Sequence, residues 1–159
     1  KEVWNRHILD SAQIIKYIDF KKDHILSDFG SGAGLPGVIL SIANTNPNFH
    51  VKLYEKSPVK RVFLSDIQKI TNFDIEANVY DYKTIRTNYI VCRAFKKLDL
   101  IFDISREKVK NPHKLIILKG KNALNDLKKL PKDKNYRYKT VDSITDRDSK
   151  IIIATKNGK

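Results

Sequence analysis

Most of the glycines in this chain of 159 residues are concentrated in one short segment. Four of the six lie within positions 30–37, which read Gly-Ser-Gly-Ala-Gly-Leu-Pro-Gly. Glycine loses more backbone entropy on folding than other residues, so this concentration needs a structural cause. A short apolar segment precedes it, and Pro36 stands where a helix would begin. A strand, a glycine turn and a helix N-terminus let backbone amides approach a ligand, so the segment predicts a binding turn.

The rest of the chain alternates between predicted strands and predicted helices. Strands are expected at 24–29, 49–55, 73–79, 89–93, 113–119, 136–141 and 150–155. Helices are expected at 3–18, 38–43, 58–70, 98–105 and 123–130, the last of them ended by Pro131. This order predicts an α/β fold with a doubly wound, mostly parallel sheet. The last strand is expected to be antiparallel, because no helix separates it from the strand before it.

Composition limits the class of protein. No apolar run approaches the roughly 20 residues that a membrane helix needs, and 41% hydrophobic residues suffice for one globular domain, 1–159. Cys92 is the only cysteine, which excludes an internal disulfide and a multi-cysteine metal site. Because this composition is typical of a reducing compartment, we expect a cytoplasmic protein. Because the chain contains no Met and begins with Lys1, we expect it to lack an N-terminal segment of a longer product.

The charge balance bears on the partner. Lys and Arg number 31 against 18 Asp and Glu, which gives a net charge of +13. Such a field favours a polyanion, because every neutralised phosphate releases condensed counterions. A biased genome can produce the same lysine-rich composition, so the charge alone does not identify the partner.

Two acidic residues bear on the ligand of the glycine turn. The spacing Gly32-x-Gly34-x-x-Gly37 matches the dinucleotide fingerprint, so a nicotinamide-dependent oxidoreductase is one possibility. Asp28, at the end of the first strand, would repel a pyrophosphate and attract a cation. Glu55, at the end of the second, can accept both ribose hydroxyls of either ligand. S-adenosylmethionine, a sulfonium nucleoside without phosphate, therefore fits better than a dinucleotide.

Short motifs in a fixed order carry a family resemblance. They are Arg-His-Ile-Leu-Asp-Ser at 6–11, the segment 28–37, Glu55 with Lys-Arg-Val-Phe-Leu at 60–64, Arg-Ala-Phe at 93–95 and Leu-Lys-Gly-Lys at 118–121. Each is weak alone, but the ordered set resembles the bacterial 16S ribosomal RNA guanine-N7 methyltransferase family (RsmG, also called glucose-inhibited division protein B). The resemblance implies a class I (Rossmann-like), S-adenosylmethionine-dependent methyltransferase with a seven-stranded sheet. Family members usually have a helical segment before the first motif.

The resemblance adds cofactor positions to those expected from the residues themselves. It contributes Gly30 and Leu35 in the turn, Val79 and Tyr80 after the third strand, and Arg93. Family members often have an acidic residue where Tyr80 stands, and Asp81 is the candidate substitute. The predicted cofactor-binding residues are Asp28, Gly30, Gly32, Gly34, Leu35, Glu55, Val79, Tyr80, Asp81 and Arg93.

The expected chemistry makes few demands on side chains. Guanine N7 carries an in-plane lone pair and attacks a methyl group without first losing a proton, so no general base and no metal are needed. The base must instead be aligned and held out of its RNA context. Arg93 and Phe95 follow the fourth strand and are the candidates for this role, with an ion pair and core packing as their respective structural alternatives.

Basic residues elsewhere are candidate RNA contacts. Lys119 and Lys121 flank Gly120 after the fifth strand and are expected to contact phosphate. His7 is also a candidate RNA contact, and it shares one helix face with Asp10 and Ser11. These three residues can either reach over the cofactor pocket or cap and brace the first strand.

The sequence therefore predicts methyl transfer from S-adenosylmethionine to a guanine N7 of 16S ribosomal RNA, as naked RNA or in the small ribosomal subunit. Two alternatives stay open at this point. One is a non-catalytic RNA-binding or ribosome-assembly factor with a vestigial pocket. The other is a small NAD(P)-dependent oxidoreductase.

Overall fold

One sheet of seven strands organises the computed structural model, which describes residues 2–130 and 133–157. The strands are β1 (Ile25–Phe29), β2 (His50–Tyr54), β3 (Asp74–Glu76), β4 (Tyr89–Arg93), β5 (His113–Lys119), β6 (Tyr136–Asp142) and β7 (Lys150–Lys156). Their order is β3-β2-β1-β4-β5-β7-β6. The pairs among β1 to β5 are parallel, and β7 runs antiparallel to both β5 and β6. The predicted fold class, including the antiparallel last strand, is confirmed.

The helices follow the predicted alternation with shifted ends. The helices are α1 (Asp10–Ala12), α2 (Gly37–Ala43), α3 (Pro58–Gln68), α4 (Leu98–Lys108) and α5 (Ala123–Lys128). A π-helical turn (Trp4–Leu9) precedes α1 and a 3-10 turn (Ile15–Tyr17) follows it, so the predicted helix over 3–18 has three parts. α3 and α5 end earlier than predicted and α4 ends later; Pro131 lies outside the described residues.

The third strand is much shorter than the predicted 73–79. It ends at Glu76, and Val79–Asp81 form a 3-10 turn. Glu76 pairs with Tyr54, the last residue of β2, so the ladder ends there, and the Asn78 side-chain oxygen then accepts the amide hydrogen of Tyr80 at 3.3 Å. Asparagine offers the backbone such a local alternative to a strand ladder.

Apolar side chains pack on both faces of the sheet. Along β5, Leu115 and Ile117 belong to the cluster on one face, and Ile116 and Leu118 to the cluster on the other. Successive side chains of a strand point to opposite faces, so a continuous apolar run is what a strand covered on both sides requires. Among the described residues, no helix is both long and apolar enough to cross a membrane.

A buried polar trio joins α4 to β5 and β6. His113 has its Nδ1 2.7 Å from the carbonyl oxygen of Asn111 and its Nε2 2.5 Å from Ser105 Oγ. Ser105 Oγ lies 2.7 Å from the Tyr136 hydroxyl. Burial lowers the pKa of His113, so the ring is neutral, with its proton on Nδ1 and its Nε2 accepting from Ser105.

Removing the buried hydroxyl should cost stability, whereas removing an exposed one on the same strand should not. Tyr136 is 5% exposed and Tyr138 is 54% exposed. We expect Tyr136→Phe to lower the free energy of unfolding by about 1 kcal/mol, and Tyr138→Phe to leave it nearly unchanged. Urea denaturation followed by circular dichroism measures both. If both variants lost the same free energy of unfolding, the buried trio would make no specific contribution to stability.

Candidate functional site

The glycine-rich turn leaves β1 at the carboxyl edge of the sheet and leads into α2. Gly30, Gly32 and Gly34 have φ angles of +73°, +60° and +89°. Side-chain-bearing residues rarely adopt such angles, so the glycines permit this path of the backbone. The amides of Gly30 and Ser31 both donate to the carbonyl oxygen of Tyr54, at 2.9 and 3.1 Å. The turn is therefore tied to the end of β2.

Asp28 supports the turn from beneath. Its side chain is fully buried, and its Oδ2 accepts the amide hydrogen of Gly37 at 2.9 Å. Burial raises the pKa of this carboxyl to about 7 against the opposing effect of the Gly37 hydrogen bond. Its Oδ1 has no hydrogen-bond partner in the described parts of the chain. Asp28 thus fixes the start of α2 through this hydrogen bond, and its attraction of a bound cation stays a prediction.

Glu55 holds the turn from the side. The amide of Gly32 donates to its Oε2 at 2.9 Å, and the amide of Ser57 donates to its Oε1 at 2.8 Å. The carboxylate is buried and pairs with neither Lys56 nor Lys60 within the described structure. Each carboxylate oxygen has a second lone pair, so Glu55 can bind the turn and still accept hydroxyl groups from a ligand.

A cavity of about 530 Å³, here called the turn cavity, opens over the glycines. Most of the predicted cofactor-binding residues line it, namely Gly30, Gly32, Leu35, Glu55, Val79, Tyr80 and Arg93. Asn78 and Lys60 line it as well and were not predicted. Asn78 was detectable, because an asparagine after a short strand is typical of a turn at the sheet edge.

The remaining predicted cofactor residues, Asp28, Gly34 and Asp81, do not line the cavity. At Gly34 an added Cβ would lie 2.4 Å from Val38 and 3.0 Å from Leu64, so this glycine allows close packing of the turn on α2 and α3. Asp81 is exposed at the end of its 3-10 turn. The structure therefore does not bring these three residues to the cavity lining, and their contact with the cofactor stays a prediction.

A second cavity, of about 380 Å³, lies at the carboxyl ends of β4 and β5, and is here called the strand-end cavity. The predicted residues Arg93, Phe95, Lys119 and Lys121 line it. Residues from distant parts of the chain complete its wall: Asp10, Gln13, Asn122, Asp126, Ser143, Ser149 and Lys150.

The two cavities share one wall, the segment 93–96. Within it Ala94 has a φ of +50°, an uncommon conformation for alanine. Phe95 packs on Phe29 with ring centroids 6.3 Å apart, and an added Cβ at Gly30 would lie 2.1 Å from its ring. Phe95 therefore both packs on the core and separates the two spaces.

Arg93 fastens this wall to the N-terminal helical segment. Its guanidinium donates to the carbonyl oxygen of Arg6 at 2.9 Å and lies 3.5 Å from Asp10 Oδ2 and 3.3 Å from His7 Nδ1. Arg93 is thus both an ion-pair partner and a lining residue of each cavity. His7 lies against it, and within the described chain it lines neither cavity.

Asp10 joins the helical segment to the turn between β6 and β7. Its Oδ1 accepts from Gln13 Nε2 at 2.7 Å and from Thr145 Oγ1 at 2.8 Å. The helix face that carries His7, Asp10 and Ser11 therefore braces β4 and the β6–β7 turn, not the first strand as one prediction had it. Ser11 bonds back to the carbonyl oxygen of His7 at 2.6 Å.

Comparison with known proteins gives consistent relatives. The family model "GidB: rRNA small subunit methyltransferase G" matches residues 1–152. "Ribosomal RNA small subunit methyltransferase G" of Rickettsia bellii (strain OSU 85-389) is 40% identical over 151 residues, which are 94% of this chain and 76% of that protein. The protein of the same name from Rickettsia rickettsii (strain Sheila Smith) is 38% identical over the same shares.

Solved structures share the fold at low sequence identity. The Methanococcus jannaschii fibrillarin pre-rRNA processing protein aligns with a TM-score of 0.74 at 17% identity, over 98% of this chain and 77% of that one. A SAM-dependent methyltransferase from Aquifex aeolicus aligns with a TM-score of 0.67 at 12% identity, over 96% and 91%.

The raised pKa of Asp28 predicts how stability depends on pH. The folded chain binds this proton more tightly than the unfolded chain, so the stability it provides is lost as pH rises through about 7. Between about pH 5 and about pH 8, the free energy of unfolding of the wild type should fall by about 3 kcal/mol relative to Asp28→Asn. Urea denaturation of both proteins across this range measures the difference. A difference that is constant with pH would contradict the assignment.

Proposed function

The chain belongs to the GidB family of small-subunit ribosomal RNA methyltransferases, and we propose that it transfers a methyl group from S-adenosylmethionine to N7 of a guanine in 16S ribosomal RNA. The family resemblance carried by the sequence motifs is confirmed. The observation that carries the proposal is the common wall, 93–96, at which a ligand cavity over the glycine turn meets a second cavity. Family membership favours this reading over a nicotinamide-dependent oxidoreductase and over a non-catalytic RNA-binding factor.

The turn cavity fits a sulfonium nucleoside. Its volume falls within the range of small-molecule sites. Its lining combines the backbone of the glycine turn, the buried carboxylate of Glu55 and apolar side chains. Glu55 is placed to accept the ribose hydroxyls, and Val79 and Tyr80 offer a surface for the adenine ring. Bound there, S-adenosylmethionine supplies a methyl group made electrophilic by its positively charged sulfur.

The chain's own residues supply alignment. N7 attacks with a lone pair that is already free, so no side chain has to remove a proton. Arg93 is held at three points on the helical segment, and it keeps the common wall rigid while both cavities are filled. Phe95 lines both cavities, so its ring lies beside the place where the methyl donor and the base would meet. As positive charge moves onto the base, the carboxylate of Asp126 in the strand-end cavity stabilises it.

The RNA contacts and the location belong to the same proposal. Lys119 and Lys121 both line the strand-end cavity, and Lys121 is exposed. Together with the net charge of +13, they support a ribosomal RNA partner, either 16S RNA or the small subunit. His7 remains a proposed RNA contact through its place beside Arg93. A cytoplasmic location follows from that partner.

Changing Gly32 tests the cofactor site. Its φ of +60° strains a β-branched side chain, and its amide bonds Glu55, so Gly32→Val should distort both. We expect calorimetry to show S-adenosylhomocysteine binding at least about 10-fold weaker than in the wild type. The control is Gly120→Val, because no atom lies within 4 Å of an added Cβ there and the residue is outside the turn cavity. Equal affinities for all three proteins would refute the site.

Mapping the product tests the reaction itself. The protein is incubated with 16S ribosomal RNA or small subunits and with S-adenosylmethionine labelled in its methyl group, and the RNA is then digested to nucleosides. We expect label in 7-methylguanosine at a single position. Label in another nucleoside would overturn the N7 assignment. RNA binding with a steep salt dependence but without cofactor binding or label would instead favour the non-catalytic factor.

A further inference from the structure

We propose that Lys119 and Asp126 select guanine as the methylated base by binding its O6 and its N1–H and N2–H groups; this inference rests on the proposed function. Both side chains line the strand-end cavity, and Lys119 Nζ lies 3.0 Å from Asp126 Oδ2. Their exposed fractions are 22% and 29%, so the pair faces the cavity while being partly shielded from solvent. A carboxylate and an ammonium group thus stand side by side in the wall of the space proposed for the base.

The order of the elements fixes which edge of the base meets the pair. In the sheet β1 and β2 lie on one side of β4, and β5 lies on the other. The turn cavity lies over β1 and β2, so a base whose N7 faces the common wall 93–96 extends away from it toward the end of β5. Lys119 is the last residue of β5, and Asp126 follows on α5. The pair therefore lies on the side of the base away from the methyl donor.

Guanine presents its groups in the matching order. Going round the ring from N7, the next groups are the O6 acceptor, the N1–H donor and the N2–H donors. An ammonium group that donates to O6 and a carboxylate that accepts from N1–H and N2–H satisfy all of them with charge-assisted hydrogen bonds. Adenine has an amino group in place of O6 and a lone pair at N1. Its amino donor would face the Lys119 ammonium, which is also a donor, and its N1 lone pair would face the Asp126 carboxylate, which is also an acceptor.

Asp126 is a better candidate for this contact than Asp10, the other carboxylate that was placed in the cavity wall. Asp10 already accepts hydrogen bonds from Gln13 and Thr145 and pairs with Arg93, so its role is to hold protein segments together. The Asp126 carboxylate has Lys119 as its one side-chain partner among residues 2–130 and 133–157. Its remaining lone pairs can therefore accept from a ligand.

Inosine tests the contact without changing the protein. It keeps N7, O6 and N1–H but lacks the N2 amino group. The substrate is small-subunit RNA with guanosine or inosine at the position where the methyl label maps. For the wild type we expect inosine to lower kcat/KM by roughly 10- to 100-fold, which corresponds to one hydrogen bond to a charged group. Equal kcat/KM for the two RNAs would overturn the inference, although methylation at guanine N7 would still support the proposed function.

A variant locates the effect at Asp126. Asp126→Asn should lower kcat/KM more on guanosine RNA than on inosine RNA, because inosine already lacks the N2–H contact with this carboxylate and keeps only the N1–H contact. If Asp126→Asn lowered kcat/KM by the same factor on guanosine RNA and on inosine RNA, Asp126 would not contact the N2 amino group. Affinity for S-adenosylhomocysteine should equal that of the wild type, which separates this effect from misfolding.

The matched control removes an equivalent charge from a pair outside both cavities. Asp66 lies 2.8 Å from Lys69 on the exposed surface of α3. Asp66→Asn should keep the wild-type ratio of guanosine to inosine activity. A changed ratio in this variant would mean that surface charge, not base contact, sets the preference. Absence of methylation on both RNAs by the wild type would refute the proposed function itself.

Discussion

The carboxylate of Glu55 holds the element on which the site depends. By accepting the amides of Gly32 and Ser57, it links the glycine turn after β1 to the chain that follows β2. Gly32 has a left-handed backbone and Ser57 precedes the first residue of α3, and a partly buried amide left without a partner is costly. Asp28 fixes the other end of the turn through Gly37. A rigid cradle for a nucleoside results from two acidic side chains that act mainly on backbone.

The second constraint is the attachment of the common wall. Arg93 connects the end of β4 to the N-terminal helical segment, and Asp10 connects that segment to the β6–β7 turn. Asp10 and Thr145 lie 135 positions apart in the sequence. A methyl transfer without proton removal relies on alignment, and these contacts fix the position of the wall at which two bound molecules would meet.

The sequence predicts the fold better than it predicts the site. Alternating apolar segments locate every strand, because burial on both faces of a sheet leaves a strong local pattern. The turn cavity follows largely from adjacent residues, such as Gly30 and Leu35. A carboxylate at the end of the first strand predicts attraction of a cationic ligand, whereas the orientation of Asp28 beneath the turn depends on its hydrogen bond with the Gly37 amide. The strand-end cavity was missed as a unit, since Gln13, Asp126 and Ser143 converge only in three dimensions.

The central claim is that the turn cavity holds the methyl donor and opens at the common wall toward the space for the base. A crystal structure of the protein with S-adenosylhomocysteine tests it most directly. We predict the ribose at Glu55, the adenine beside Val79 and Tyr80, and the sulfur at the segment 93–96, facing the strand-end cavity. A nucleoside bound in the strand-end cavity, or a sulfur that points away from that segment, would contradict the account.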